Sequence, residues 1–329
     1  MSLKNKSVLV TGGAGFIGSH LVDRIIKEEP DTIIVIDDFF MGDIRNLREA
    51  KEKFKGLKIY NQDASEYDKM KEIITNNSVD TVFDLATIPL PVSLEKPRWA
   101  YETNINRCLT LCELIRNGCF DMLIHYSSSE AYGSLKYEPM DEQHPWNPTT
   151  PYAASKAAED HLIFSYYHTF GIEMVIIRPF NNYGPRQNMK KYAGVIPLTI
   201  KRILKGESPV IYGDGDQTRD YLYVTDTVDA SVKIYNSKNV RGKVINIASG
   251  KEKSIKEIVN TIADYLDYKN PIIYKDPRIG DVRRHFADIS LAKKLIGFKP
   301  NIRFENGIEY TIEWYKTLLS DKRDQEIKS

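Results

Sequence analysis

The sequence predicts an α/β protein: a doubly wound parallel sheet with helices on both faces, followed by a smaller C-terminal α/β domain. Three observations predict it. Short β-branched and apolar runs alternate with helix-patterned stretches through the first half, a glycine-rich turn joins the first run to the first helix, and after Arg178 the texture changes to loops rich in Gly, Pro, Asn and Asp. The chain has 329 residues, which at roughly 150 residues per domain suggests two domains.

Ser7–Thr11 (SVLVT), Thr32–Asp37 (TIIVID), 79–86, 122–127 and 172–178 read as strands buried on both faces. Between them 16–27, 67–75, 98–117 and Pro151–Phe170 carry helical periodicity, with Pro151 suited to a first helical position. RPFNNYGPRQN and VIYGDGDQTRD then form loops with defined turns. Farther on, 254–265 and 304–319 are helical, and 244–248 (VINIA) is a buried strand expected to return to the first sheet. The expected division is therefore residues 1–178 with about 222–249 as one domain, and 179–221 with 250–329 as the other. The charged tail SDKRDQEIKS reads as a solvated, frayed end.

Composition removes whole classes of function. With 46 basic and 45 acidic residues, the net charge of +1 argues against a general nucleic-acid or acidic-surface binder. At 42% hydrophobic and 28% charged, the chain has enough apolar surface to fold. Cys108, Cys112 and Cys119 form no disulfide framework, so a reducing cytosol is expected, and Cys108 and Cys112 read as core packing on one helical face. The start MSLKNKSVLV has no apolar signal core, and no later run nears the ~18 apolar residues of a membrane span, so a soluble, unexported protein is expected. Six histidines show no ligand cluster, and no metal is expected.

Two constellations carry chemistry. In Gly12-Gly13-Ala14-Gly15-Phe16-Ile17-Gly18 the glycines fall at GxxGxxG spacing between a strand and a helix. A tight turn, close approach to a pyrophosphate and close helix–strand packing each require a missing side chain, while the helix N-terminus attracts negative charge. Asp37, 19 residues after Gly18, ends the second strand, where a carboxylate can accept both hydroxyls of a ribose. No Lys or Arg follows it directly and it would repel a 2′-phosphate, so NAD is expected rather than NADP. The second constellation is Tyr152-Ala-Ala-Ser-Lys156 with Ser127-Ser128-Ser129 at a strand end. Tyr152 and Lys156 share a helical face, so the ammonium stabilises phenolate, which can take a proton from a substrate hydroxyl while the adjoining carbon gives hydride to NAD; Ser128 would hydrogen-bond that hydroxyl.

TGGAGFIGSH, SSSEAYG, PYAASK, RPFNNYGPRQ and GDGDQTRDYLYVTD, in this order and spacing, resemble the extended short-chain dehydrogenase/reductase family of NAD-dependent nucleotide-sugar epimerases, dehydratases and decarboxylases, over about residues 7–300. The resemblance implies a Rossmann-type NAD-binding domain and a nucleotide-sugar-binding domain. It implies cofactor contacts from Gly12, Gly15, Phe16, Ile17, Gly18 and Asp37, an adenine-side pair at Asp63 and Ala64, and a cleft lined by Leu85, Ala86 and Asn104. Tyr152 would act at the nicotinamide end, and Lys156 would also reach the nicotinamide ribose. The substrate's diphosphate would meet Asn181, Arg219 and Arg278, with Arg186 as an additional candidate; bidentate guanidinium groups suit phosphate.

Glu130 discriminates among reactions. A 4-epimerase removes hydride from C4 and returns it to the other face, which needs no carboxylate there. Once C4 is a ketone the C5 proton is acidic, and Glu130 could abstract it as the C6 hydroxyl leaves. The Ser129-Glu130 pair resembles one form of the 4,6-dehydratase motif. The decarboxylase branch would have an arginine where this chain has His285. The expected order is 4,6-dehydratase, then 4-epimerase or 4-dehydrogenase, then hexuronate decarboxylase. The apolar faces of 98–117 and Pro151–Phe170 suit a family-like homodimer joined by a four-helix bundle.

Overall fold

The computed structural model describes residues 2–189, 192–277 and 282–327, with side chains as far as Ser320; Arg278 lies outside the described residues. In chain order the first part runs β1 (Ser7–Thr11), α1 (Phe16–Ile26), β2 (Thr32–Asp37), α2 (Arg48–Lys53), β3 (Leu57–Asn61), α3 (Tyr67–Asn76), β4 (Thr81–Asp84), α4 (Leu90–Glu95), α5 (Pro97–Arg116), β5 (Met122–Tyr126), α6 (Pro151–Phe170) and β6 (Met174–Pro179). The second part runs β7 (Asn181–Tyr183), α7 (Val195–Leu204), β8 (Val210–Tyr212), β9 (Thr218–Tyr223), α8 (Val224–Asn236), β10 (Val244–Ile247), β11 (Glu252–Ser254), α9 (Ile255–Tyr265), β12 (Ile273–Lys275), α10 (Ser290–Ile296) and α11 (Phe304–Ile327).

Seven strands pair in the order β10-β6-β5-β4-β1-β2-β3, all parallel. The order reverses between β1 and β4, which opens a crevice beyond their carboxyl ends. Side chains alternate between the faces: Val8 and Val10 join Leu21, Ile25 and Phe83 on one side, while Leu9 joins Ile34, Val82, Leu111 and Ile163 on the other. VINIA does return to this sheet, as β10 beside β6.

β3 was not expected from sequence. LKIYN places Lys58 and Asn61 toward solvent because it is an edge strand with one neighbour, so it lacks the continuous apolar run of the inner strands. Beyond the main sheet, Ile196, Ile200, Ile258, Ile262, Ile308, Ile312 and Tyr315 build a separate core under the small sheets β11-β9-β7 and β12-β8. Ser254 opens α9 with a reciprocal capping box to Glu257. The last helix runs on to Ile327, past the expected end near residue 319. Among the described residues no helix is long and apolar enough to cross a membrane.

Candidate active site

A cleft of about 380 Å³ lies beyond the carboxyl ends of β1 and β4, walled by Gly12, Gly15, Phe16, Ile17, Gly18, Asp37, Ala64, Leu85, Ala86, Ser128 and Tyr152 among others. Its floor needs glycine. A Cβ on Gly18 would stand 2.2 Å from the Gly12 carbonyl oxygen, and one on Gly12, whose φ is +64°, would meet the backbone of Leu85 and Ala86 at 2.9 Å. Such a bare backbone turn at the start of α1 is what a dinucleotide's pyrophosphate requires, so these residues fit that group. Asp37 is buried at the end of β2; its carboxylate accepts the amides of Ala14 and Phe39, both at 2.9 Å. Burial pushes its pKa up, against those two amides.

The loop after β4 is tied down from behind. Thr11 Oγ1 donates to Asp84 Oδ1 at 2.6 Å and accepts the amides of Leu85 and Ala86 at 3.0 Å. Asn104 accepts the Ile88 amide at 2.7 Å and donates to the Ile88 carbonyl and to Ser155. The structure thus places Asn104 behind the cleft wall, where it holds the loop. Asp63 also stands back from the wall and accepts from Arg107, a buried cleft residue that sequence reasoning missed. Although burial acts against it, the Arg107 guanidinium and the Ser65 amide hold the Asp63 carboxyl below its usual value.

At the other end of the cleft Thr150 caps α6 by accepting the Ala153 amide at 3.1 Å, which sets Tyr152 in the first turn and Lys156 one turn on. The Ser128 hydroxyl is hydrogen-bonded to the Tyr152 phenol, and Glu130, whose amide donates to Ser128 Oγ at 3.2 Å, is close enough for its charge to act on that phenol. Burial raises the Tyr152 pKa, Lys156 and Ser128 lower it, and Glu159 and Glu130 raise it. Ser129 is buried, and its carbonyl accepts from His285 Nε2 at 3.1 Å. His285 is driven down to about 3 by burial and by the charge of Arg219.

Lys156 sits in a buried charged cluster with no sequence signature. Its ammonium donates to Glu159 Oε2 at 2.5 Å; His125 Nε2 lies 3.1 Å from the same oxygen, and His125 Nδ1 donates to Asp84 Oδ2 at 2.8 Å. Next to them Asp160 accepts from Ser127 and Arg178. Three carboxylates thus face three cations, all buried. Burial and Lys156 oppose protonation of His125, yet Asp84 and Glu159 lift its pKa to about 9. Lys156, Glu159 and Asp160 share α6, whereas Asp84, His125 and Arg178 come from β4, β5 and β6 and meet them only in the folded chain.

The substrate-side residues are more dispersed. Asn181 is half-buried on β7. Arg219 on β9 donates to the carbonyls of Thr218 and Val282. Arg186 is ion-paired to Asp23 of α1 at 2.7 Å and borders an adjoining cavity rather than the main cleft. Asn182 and Gln187, not foreseen, do line the cleft. Among the described residues no group of His, Cys, Asp and Glu is placed to hold a metal.

Residues 9–311 match the family profile of GDP-mannose 4,6 dehydratase. The chain belongs to this extended short-chain dehydrogenase/reductase family of nucleotide-sugar enzymes. A Methanocaldococcus jannaschii member, provisionally assigned as a UDP-glucose 4-epimerase, is 37% identical over 94% of this chain and 98% of its own. The solved UDP-N-acetylglucosamine 4-epimerase of Methanobrevibacter ruminantium, in complex with UDP-N-acetylmuramic acid, is 36% identical with a TM-score of 0.89, covering 96% of this chain and 99% of that one. The dTDP-glucose 4,6-dehydratase of Streptomyces venezuelae, with NAD and TYD bound, is 28% identical with a TM-score of 0.89, covering 94% and 97%. Family membership therefore makes the chain an enzyme acting on nucleotide sugars, and it leaves epimerases and dehydratases side by side among its relatives.

Proposed function

We propose that the protein is an NAD-dependent nucleotide-sugar 4,6-dehydratase of the cytosol, where its three free cysteines persist as thiols. The carrying observation is Glu130, a carboxylate beside the hydrogen-bonded Ser128–Tyr152 pair. When bound, NAD supplies the hydride acceptor and donor. The glycine turn would cradle its pyrophosphate, Asp37 its ribose, and Asp63 with Ala64 its adenine side. Tyr152 takes the proton of the sugar's C4 hydroxyl while Ser128 hydrogen-bonds the same oxygen, and Lys156 keeps a positive charge near the phenolate. With C4 a carbonyl, Glu130 removes the C5 proton and hands it to the departing C6 hydroxyl, which leaves as water; hydride would then return to C6 as C5 takes up a proton, which gives a 4-keto-6-deoxy sugar and leaves the cofactor oxidised. Asn181, Arg219 and Arg278 are assigned to the diphosphate of the substrate; Arg186, tied to Asp23, is a weaker candidate.

A second reading, 4-epimerase or 4-dehydrogenase, is favoured by Ser129. That residue is buried and carries a hydroxyl in place of a carboxyl, so position 129 gives Glu130 no neighbouring acid to protonate a leaving hydroxyl. Decarboxylation ranks below both, because His285, held neutral, offers no cation for a hexuronate carboxylate. The test is product mass after incubation with UDP-, GDP- and dTDP-hexoses and hexuronates in H₂O and D₂O. Loss of water with deuterium gained at C5 supports dehydration. Unchanged mass with a new retention time supports epimerisation and removes the role given to Glu130.

A further inference from the structure

The adenosine end of the cleft contains an ion bridge that neither the glycine turn nor Asp37 explains. Arg107, on α5 and only 4% exposed, donates from Nη2 to Asp38 Oδ2 at 2.5 Å and from Nε to Asp63 Oδ1 at 3.0 Å. Its side chain forms part of the cleft wall together with Asp37, Asp38, Gln62 and Ala64. Asp38 is itself fixed, since its Oδ1 accepts the Phe40 amide at 2.9 Å. Asp63 is likewise fixed by the Ser65 amide at 2.9 Å. A buried guanidinium cannot shed its proton, and each of these bonds is charge-assisted.

We propose that the Asp38–Arg107–Asp63 bridge is a cofactor-selectivity device. It commits the cation of the adenosine pocket to two carboxylates, so that NAD is accepted and the 2′-phosphate of NADP is refused. Carboxyl groups at Asp37, Asp38 and Asp63 outnumber the single guanidinium three to one, so an added phosphate meets net negative charge. The same arginine is the group that would bind a phosphate bidentately if it were released. Selectivity thus depends on what Arg107 is bonded to as well as on Asp37.

The inference rests on the dinucleotide reading of the cleft and is independent of which sugar reaction follows, because its readout is binding. NAD and NADP are titrated calorimetrically into the wild-type protein, Asp38→Asn and the double variant Asp38→Asn/Arg107→Met. The amide at position 38 can still accept the Phe40 amide but no longer neutralises Arg107. The wild type is expected to prefer NAD. Asp38→Asn is expected to tighten NADP about tenfold, one charge-assisted hydrogen bond's worth, with NAD nearly unchanged, and the double variant to lose that gain. Asp63→Asn frees the other side of the guanidinium and is used should Asp38→Asn fold poorly; because Asp63 is also assigned to the adenine side, which NAD and NADP share, it is read as the ratio of NADP to NAD affinity. An unchanged NADP affinity in these single variants, or a gain that survives without Arg107, overturns the proposal while leaving the dinucleotide reading intact. A wild-type protein that binds neither nucleotide overturns both.

Discussion

At the scale of single residues, the reactive group is the Tyr152 hydroxyl, and its surroundings show how it is controlled. Tyr152→Phe removes one oxygen and leaves the ring packed, so turnover is expected to fall by about 10²–10⁴-fold, the usual contribution of a placed acid–base group. NAD affinity, measured by titration, should be retained. Undiminished sugar turnover in that variant would remove Tyr152 from its assigned role. His125, buried on β5, reports on the charged cluster through pH. Its folded pKa of about 9 lies above the ordinary 6.5, so the stability it contributes is complete below pH 6.5 and is lost as pH rises through about 9. The groups facing it are Asp84, Glu159, Asp160 and Lys156. Thermal unfolding followed between about pH 6 and 10 should show the wild type losing stability toward the alkaline end. His125→Gln is expected to be less stable at neutral pH and to lose less on the way up; a parallel pH response in both proteins would contradict the pairing.

At the scale of elements, the glycine turn joins β1 to α1 by letting backbone touch backbone. Gly18→Ala places a methyl 2.2 Å from the Gly12 carbonyl oxygen, and a rigid turn cannot yield that distance cheaply. The variant is expected to lose about 1–3 kcal/mol of stability by overpacking and most of its NAD binding, read by thermal melting and titration. Normal NAD affinity in Gly18→Ala would mean that the pyrophosphate does not use this turn. The turn was legible because its chemistry is local: glycine spacing, a preceding strand and a following helix lie within one short segment. The inner strands were legible for the same kind of reason, since burial on both faces writes a continuous apolar run. β3 was not, because an edge strand carries Lys58 and Asn61 and so resembles a loop. Nor were the pairs Asp84–His125, Glu159–His125 and Asp38–Arg107, whose partners come from separate elements and meet only in the folded chain. For Arg107 one signal existed: an arginine one helical turn after Asn104, on the face of α5 turned toward the sheet.

At the scale of the whole molecule, the remaining question is what covers the outer side of α5 and α6. These helices pack on each other over one face of the sheet, yet Leu109 remains 38% exposed on α5. Beside it Ile105 is only partly covered, and on α6 Ala154, Ala158 and Leu162, spaced four residues apart, are partly covered as well. Four-residue spacing puts each set on one helical stripe, and alanines allow a second pair of helices to approach closely. We propose that a second copy pairs the same two helices across a two-fold axis, as isologous contacts require. Light scattering at micromolar concentration should then give twice the 37.8 kDa chain mass. Leu109→Arg introduces a charge that would repel its symmetry mate at the centre of that contact, while in the free chain it points into water. It is therefore expected to shift the protein to monomer with little change in the melting of the isolated subunit. A wild-type monomer, or a dimer untouched by Leu109→Arg, would place the contact elsewhere.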